Sequence, residues 1–164
     1  LRFVLLFFEA INAAGVLQIP MLVSVWDDDY GISVPQEYHT TKGDISKLIS
    51  GFKRTAYERG YEMFTAKGWD YAGLCTIYQK AAHICRKKHI PILVHVKEMT
   101  QPQGHSTSGS HERYKSVERL AWEAEYDCIK KMRLWILDCD LGSAAQLDNI
   151  EQEAREEVQR KKNA

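Results

Sequence analysis

Pro20-Met21-Leu22-Val23-Ser24-Val25-Trp26, followed at once by Asp27-Asp28-Asp29, is the stretch on which the fold turns. An uninterrupted, mainly apolar run of this length, bounded by turn signals, is the form of a parallel strand covered by helices on both faces. The three aspartates mark its carboxyl end. Upstream, Leu5, Phe8, Ile11, Asn12 and Gly15 recur at helical spacing, and Pro20 requires that helix to have ended. Downstream, Asp44 can cap a helix carrying Ile45, Leu48, Ile49 and Phe52, and Gly60 precedes a short strand candidate at 61–65. Asp70 then caps a periodic helix with Tyr71, Leu74, Cys75, Tyr78, Ala81, Ala82 and Cys85 on one face. Arg86, Lys87 and Lys88 suit the negative end of that helix. Residues 90–96 (IPILVHV) read as a third buried strand. Strands separated by helices predict an α/β fold with a parallel sheet and flanking helices, in which ligands gather at the carboxyl ends of the strands.

From Ser116 onward the pattern is helical. Val117, Leu120, Ala121, Ala124, Cys128, Met132, Trp135 and Ile136 mark one face of a single long helix that Gly142 closes. Ser143 with Gln146 has the form of a capping box, and Glu151 with Arg155 and Glu156 with Arg160 form pairs on an exposed second helix. This divides the chain into an α/β part, 1–115, and a C-terminal helical extension of the same domain, 116–164.

With 164 residues, 45% of them apolar, the chain can bury one core of ordinary domain size. Lys plus Arg and Asp plus Glu each count 22, which removes the electrostatic case for nucleic acid or an anionic membrane as partner. Cys75, Cys85, Cys128 and Cys139 show no CxxC spacing, so they read as buried free thiols in a reducing, cytoplasmic compartment rather than as zinc ligands. The apolar opening, 1–8, is far shorter than the roughly 20 residues of a membrane span and lacks a small-residue cleavage site. The chain lacks an initiator Met and begins in mid-pattern, which reads as a piece of something longer.

Two loops sit at carboxyl ends of strands, 27–41 and 97–115, both longer than the usual α/β connection of about 2 to 6 residues. Three consecutive aspartates concentrate negative charge where solvation is poor, and a hard divalent cation would offset it. A solvated turn is the other reading, since Asp is a frequent turn residue. The second loop, TQPQGHSTSGSHERYK, combines two histidines, neighbouring hydroxyls, two glycines and an arginine. That composition suits phosphate contacts and proton transfer near neutral pH, against the alternative of a flexible surface loop. His95 lies within an apolar strand and reads as a satisfied core histidine. His39, His83 and His89 share no spacing, and Trp122 and Trp135 read as core or interface.

PMLVSVWDDDYGIS resembles the strand and loop that close the thiamine diphosphate motif in the α part of 2-oxoacid dehydrogenase E1 components. GHSTS with Arg113 and Tyr114 resembles their active-site loop, that of the branched-chain type especially. FEAINAAG matches the family helix that leads into the strand, which places the family's Gly-Asp/Glu-Gly turn just before Leu1. The resemblance implies a partial thiamine-diphosphate-binding fold, with thiamine diphosphate and Mg2+ as cofactors. It implies Asp28 and the main chain of Tyr30 as metal ligands, with cofactor contacts at Asp28, Tyr30, Ile32, His105 and Ser106. His105 takes the catalytic role of the loop histidine that helps the acyl group pass to lipoate, and Ser106 matches a serine that is phosphorylated in some mitochondrial relatives. Arg113 matches the arginine that anchors the ordered loop to nearby acidic groups.

Implied partners are a β-type E1 domain that supplies the activating Glu, the lipoyl domain of an E2 transacylase, and a 2-oxoacid substrate, within an oligomer. The chain alone is not expected to catalyse. Asp27 and Asp28 depart from the family's usual pair of Asn, GSHER replaces a more acidic stretch, and Gln101-Pro102-Gln103 stands where many relatives carry Tyr-Arg. The competing readings are a transketolase-like enzyme and a folded interaction module without activity.

Overall fold

The amino-terminal apolar periodicity forms α1 (Arg2–Leu17), in a computed structural model that describes residues 2–101, 104 and 110–163. The helix buries Ile11 and Ala14 and ends where Gln18 takes a left-handed φ of 51°. Asn12, expected on the same face, is exposed. The chain then enters β1 (Leu22–Trp26), passes a small antiparallel ribbon of β2 (Tyr30–Gly31) and β3 (Val34–Pro35), and reaches the short α2 (Gln36–His39). Next come the one-turn α3 (Ile45–Leu48), the strand β4 (Glu62–Lys67), the long α4 (Tyr71–Lys88) and β5 (Ile92–Lys97).

The expected parallel sheet is present, with strand order β1-β5-β4. β5 pairs with β1 from Leu22↔Ile92 to Trp26↔Val96 and with β4 from Glu62↔Ile92 to Lys67↔Lys97. The last strand in sequence is therefore central, and Ile92 through Val96 are all buried. Alternation along β5 serves two layers. Ile92, Val94 and Val96 pack with Ala81 and Cys85 of α4, while Leu93 joins Ile11, Ala14, Ile49 and Tyr61 on the opposite face. Full burial of a side chain such as Leu93 stabilises the fold by roughly 2 kcal/mol. β1 is less enclosed than its apolar run predicts: Ser24 and Trp26 are exposed.

Three helical expectations are corrected. The helix expected over 45–52 is one α-turn, capped by Asp44 through Lys47 N, followed by a separate 3-10 turn at Ser50–Phe52. The single long helix after Ser116 is two, α5 (Val117–Glu125) and α6 (Cys128–Asp138). The Asp127 carboxylate accepts from Lys130 N, so the competing side-chain cap restarts the helix. Val117, Cys128 and Met132, expected on one face of that helix, are exposed. In α7 (Ala144–Lys162) the Ser143–Gln146 capping box forms and Arg155 pairs with Glu151 at 3.5 Å. Arg160 instead takes Glu157, one residue closer than expected, while Glu156 accepts from Gln152.

All four cysteines are free, but only Cys85 is fully buried, and Cys128 and Cys139 are exposed. Among the described residues no helix is long and apolar enough to cross a membrane.

Candidate cofactor site

The acidic turn follows directly from the register of the sheet. Asp27 N donates to Val96 O at 2.9 Å, which carries the β1–β5 ladder one residue past Trp26 and delivers the three aspartates to the carboxyl edge. Each aspartate then meets a different environment.

Asp27 faces back into the core. Its Oδ2 lies 2.9 Å from His95 Nε2, its Oδ1 accepts from Asp29 N at 3.0 Å, and Gln36 donates to it as well. A carboxylate offers only acceptors, so His95 donates from Nε2, and its Nδ1 lies 2.7 Å from Ser46 Oγ. His95 is wholly buried and both ring nitrogens are engaged, so it is the satisfied core histidine that its strand predicts. Burial works against the Asp27 charge. The bonds from His95, Asp29 and Gln36 outweigh it and hold the carboxyl below its ordinary range.

Asp29 turns the other way, in a left-handed conformation with φ 66°. Its Oδ2 accepts from Arg119 Nη1 at 2.6 Å. Arg119 stands on α5, whose N-cap Ser116 accepts from Arg119 N. Its guanidinium also donates to Asp28 O and Met99 O, each at 3.3 Å, and to Glu123 Oε1 at 2.8 Å. Glu123 is buried and accepts in turn from Lys115 Nζ at 2.7 and 3.0 Å, and the Lys115 side chain is 0% exposed. Both cations lie over the Tyr30 ring, Lys115 Nζ at 5.1 Å and Arg119 Cζ at 5.5 Å from its centroid. Tyr114 packs against the same ring at 5.8 Å between centroids. Burial raises the Tyr30 phenol above its ordinary value, with Arg119 opposing.

Asp28 is left between them. Its Oδ1 meets Tyr30 N at a long 3.4 Å, and among the described residues its carboxylate has no ion-pair partner. Tyr30 faces Pro35 across the ribbon, and Gln36 N donates to Asp29 O at 2.8 Å. That pattern makes Tyr30↔Pro35 the non-hydrogen-bonded kind of pair, so the ladder does not consume the Tyr30 carbonyl. An uncompensated carboxylate and a spare carbonyl two residues apart are hard oxygen donors, the chemistry that Mg2+ takes. Among the described residues no group of three His, Cys, Asp or Glu side chains converges on a point that could hold a metal ion.

Ile32 tops the ribbon with φ 64° and is 60% exposed. A β-branched residue held left-handed is strained, a state found where surrounding structure over-determines a functional position. His105 and Ser106 lie outside the described residues. The base of their loop shows Arg113 in a 3-10 turn at His111–Arg113. Thr100 Oγ1, His111 Nδ1 and Tyr114 Oη there are buried without a hydrogen-bond partner among the described residues.

Sequence reasoning missed Lys115, Arg119 and Glu123. The spacing of Arg119 and Glu123 announces a helical i, i+4 pair, but nothing in it points to an aspartate 90 residues away.

Parallel α/β layers with an acidic turn at the mouth of the sheet define a class, the α/β proteins in which ligands bind at the carboxyl ends of the strands. The family model described as dehydrogenase E1 component matches residues 6–163. The pyruvate dehydrogenase E1 component subunit alpha of Rickettsia bellii (strain RML369-C) is 27% identical over 151 residues, covering 92% of this chain and 44% of that protein. The Porphyra purpurea subunit alpha is 26% identical over 145 residues, covering 88% and 40%. The mitochondrial subunit alpha-1 of Oryza sativa subsp. japonica is 26% identical over 156 residues, covering 92% and 36%. The chain thus spans less than half the length of these relatives. It belongs to the thiamine-diphosphate-dependent dehydrogenase E1 component family, as an α-type domain, which bears out the family resemblance, and these relatives are pyruvate dehydrogenase rather than branched-chain subunits.

Proposed function

We propose that this chain forms the α-type half of the active site of a 2-oxoacid dehydrogenase E1, which decarboxylates a 2-oxoacid oxidatively and passes the acyl unit to lipoamide. One observation carries the reading. Of three aspartates at the mouth of the sheet, two are engaged by the protein's own His95 and Arg119, and Asp28 stands beside a Tyr30 carbonyl that the ribbon leaves unbonded among the described residues.

In this reading the Asp28 carboxylate and Tyr30 carbonyl would hold Mg2+, which would offset the charge of the cofactor's diphosphate. Ile32 contacts the cofactor from its strained turn. By the family resemblance, His105 and Ser106 would contact the cofactor, and His105 would help the acyl group pass to lipoate. When bound, thiamine diphosphate supplies the carbanion chemistry; the protein's share is to fix the diphosphate and keep water out. Residues 116–164 are read as an extension of the same domain, a reading that the Arg119 contacts with Asp28 and Asp29 support for its first helix. A β-type E1 domain supplies the other half of the site, a lipoyl domain of the transacylase receives the acyl group, and the free thiols suit a reducing compartment such as the cytoplasm.

The test is decarboxylation by the assembled protein with pyruvate, 2-oxoglutarate or branched 2-oxoacids. Turnover that requires both Mg2+ and thiamine diphosphate is expected, and which acid is turned over decides the substrate. Failure with all of them sinks the reading. Replacing His105 with Ala should reduce acyl transfer to lipoate more than binding of the 2-oxoacid.

A further inference from the structure

Arg119 takes hold of three separate pieces of chain with one rigid group. Nη1 binds the Asp29 carboxylate, Nη2 the carbonyls of Asp28 and Met99, and Nε the buried Glu123. The donor directions of a guanidinium are fixed by its planar fork. Satisfying them together therefore sets where the 28–29 peptide stands relative to Met99, just beyond the end of β5. Glu123 cannot yield, since it is 4% exposed and is also bound by Lys115 through both oxygens.

The same contacts trim the charge. Without Arg119, Asp29 would stand unpaired next to Asp28, and two adjacent carboxylates would compete for one cation while repelling each other. With Arg119 in place, Asp29 is occupied and only Asp28 is offered.

We propose that Arg119 is a positioning residue for the divalent cation. It holds the Asp28–Tyr30 turn so that the Asp28 carboxylate and the Tyr30 carbonyl serve one ion, and the Lys115–Glu123 pair holds Arg119 in turn. This inference rests on the function proposed above. Arg119 touches neither ion nor substrate in this arrangement and acts through the turn. Outer-shell partners of this kind alter metal affinity by about 10–100-fold when replaced. Lysine keeps the charge of Arg119 but cannot reach Asp29, Asp28 O and Glu123 at once.

The experiment uses the full assembled protein and Mn2+ as a spectroscopic stand-in for Mg2+, read by electron paramagnetic resonance in the presence of thiamine diphosphate, with no turnover required. Arg119→Lys should weaken Mn2+ binding about 10-fold, and Arg119→Ala by up to about 100-fold. Saturating metal should restore kcat, because the defect is in ion placement rather than chemistry. Glu118→Gln, on the exposed side of the same helix, should leave Mn2+ affinity unchanged. Thermal melts identify any variant that fails to fold; the lysine form, which preserves the buried charge balance, carries the decision if the alanine form does. Wild-type Mn2+ affinity in Arg119→Lys overturns the inference while leaving the proposed function intact. A wild-type protein that binds neither Mn2+ nor thiamine diphosphate overturns the proposed function itself.

Discussion

Asp27 and His95 meet at 2.9 Å across 68 residues of sequence, joining the acidic turn to the central strand of the sheet. A second carboxylate, Asp44, is held in a similar way by Lys97 at 2.6 Å and by Lys47 N. In both, burial opposes the charge and the hydrogen bonds overcome it, so both carboxyls titrate below the ordinary aspartate value of 3.8. A depressed carboxylate contributes stability that is fully present above its unfolded value and is lost as pH falls through its folded one. Acid unfolding should therefore steepen below pH 3.8. The Asp27→Asn and Asp44→Asn double variant should be less stable at neutral pH and flatter across that acid range in urea titrations. An acid limb as steep as the wild type would show that these residues do not set it.

Tyr61 governs the alkaline side. Its ring is 1% exposed, its hydroxyl donates to Ile11 O at 2.9 Å, and burial pushes the phenol up to about 12. A folded value above the unfolded 10.0 means stability that is complete below pH 10 and declines as pH climbs through 12. Tyr61→Phe should cost about 1 kcal/mol at pH 7, from the lost bond and the orphaned carbonyl. It should also remove part of the alkaline decline, which denaturation at pH 8 and above pH 10 would compare.

Lys115 and Glu123 make a buried pair whose value appears when it is broken. Glu123→Ala leaves the Lys115 ammonium buried with Gln101 Oε1 at 3.4 Å and the Tyr30 face as partners. An uncompensated buried charge costs about 3–5 kcal/mol. Lys115→Met with Glu123→Leu removes both charges and should recover most of that loss. A loss below about 1 kcal/mol for the single change, by urea denaturation, would contradict a structural role for the pair.

The layers of this fold were legible because they rest on local signals. The unbroken run at 92–96 is buried on both faces as such runs predict, and the caps at Asp44, Asp70 and Ser143 all form. The break at Tyr126–Asp127 was hidden because the apolar stripe continues through it, and Asp127 reads equally well as an exposed helical residue. Asp28 and Tyr30 were singled out by the resemblance alone. The residues that make Asp28 the uncompensated carboxylate were not, since His95 and Arg119 lie 68 and 90 positions from the aspartates they bind. Contacts between distant segments follow from topology, and strand order β1-β5-β4 is not written in any one stretch of sequence.

If the proposed site is right, Asp28 and its two neighbours should separate structural from functional carboxylates. Asp27 is locked to His95 and Asp29 to Arg119, so their replacement should act first on folding, seen in melting curves. Among the described residues the Asp28 carboxylate makes one long backbone contact, so Asp28→Ala should leave the melting curve nearly unchanged in the absence of ligand. In the assembled protein the same change should weaken Mg2+-dependent retention of thiamine diphosphate by more than the roughly 10–100-fold typical of an outer-shell change. Asp28→Asn keeps an oxygen donor and loses the charge, so it should fall between wild type and Ala. Calorimetric titration of cofactor at fixed Mg2+ reads all three proteins on one scale. Equal affinity in wild type and Asp28→Ala would mean that the turn is a solvated connection, and that the metal is held elsewhere.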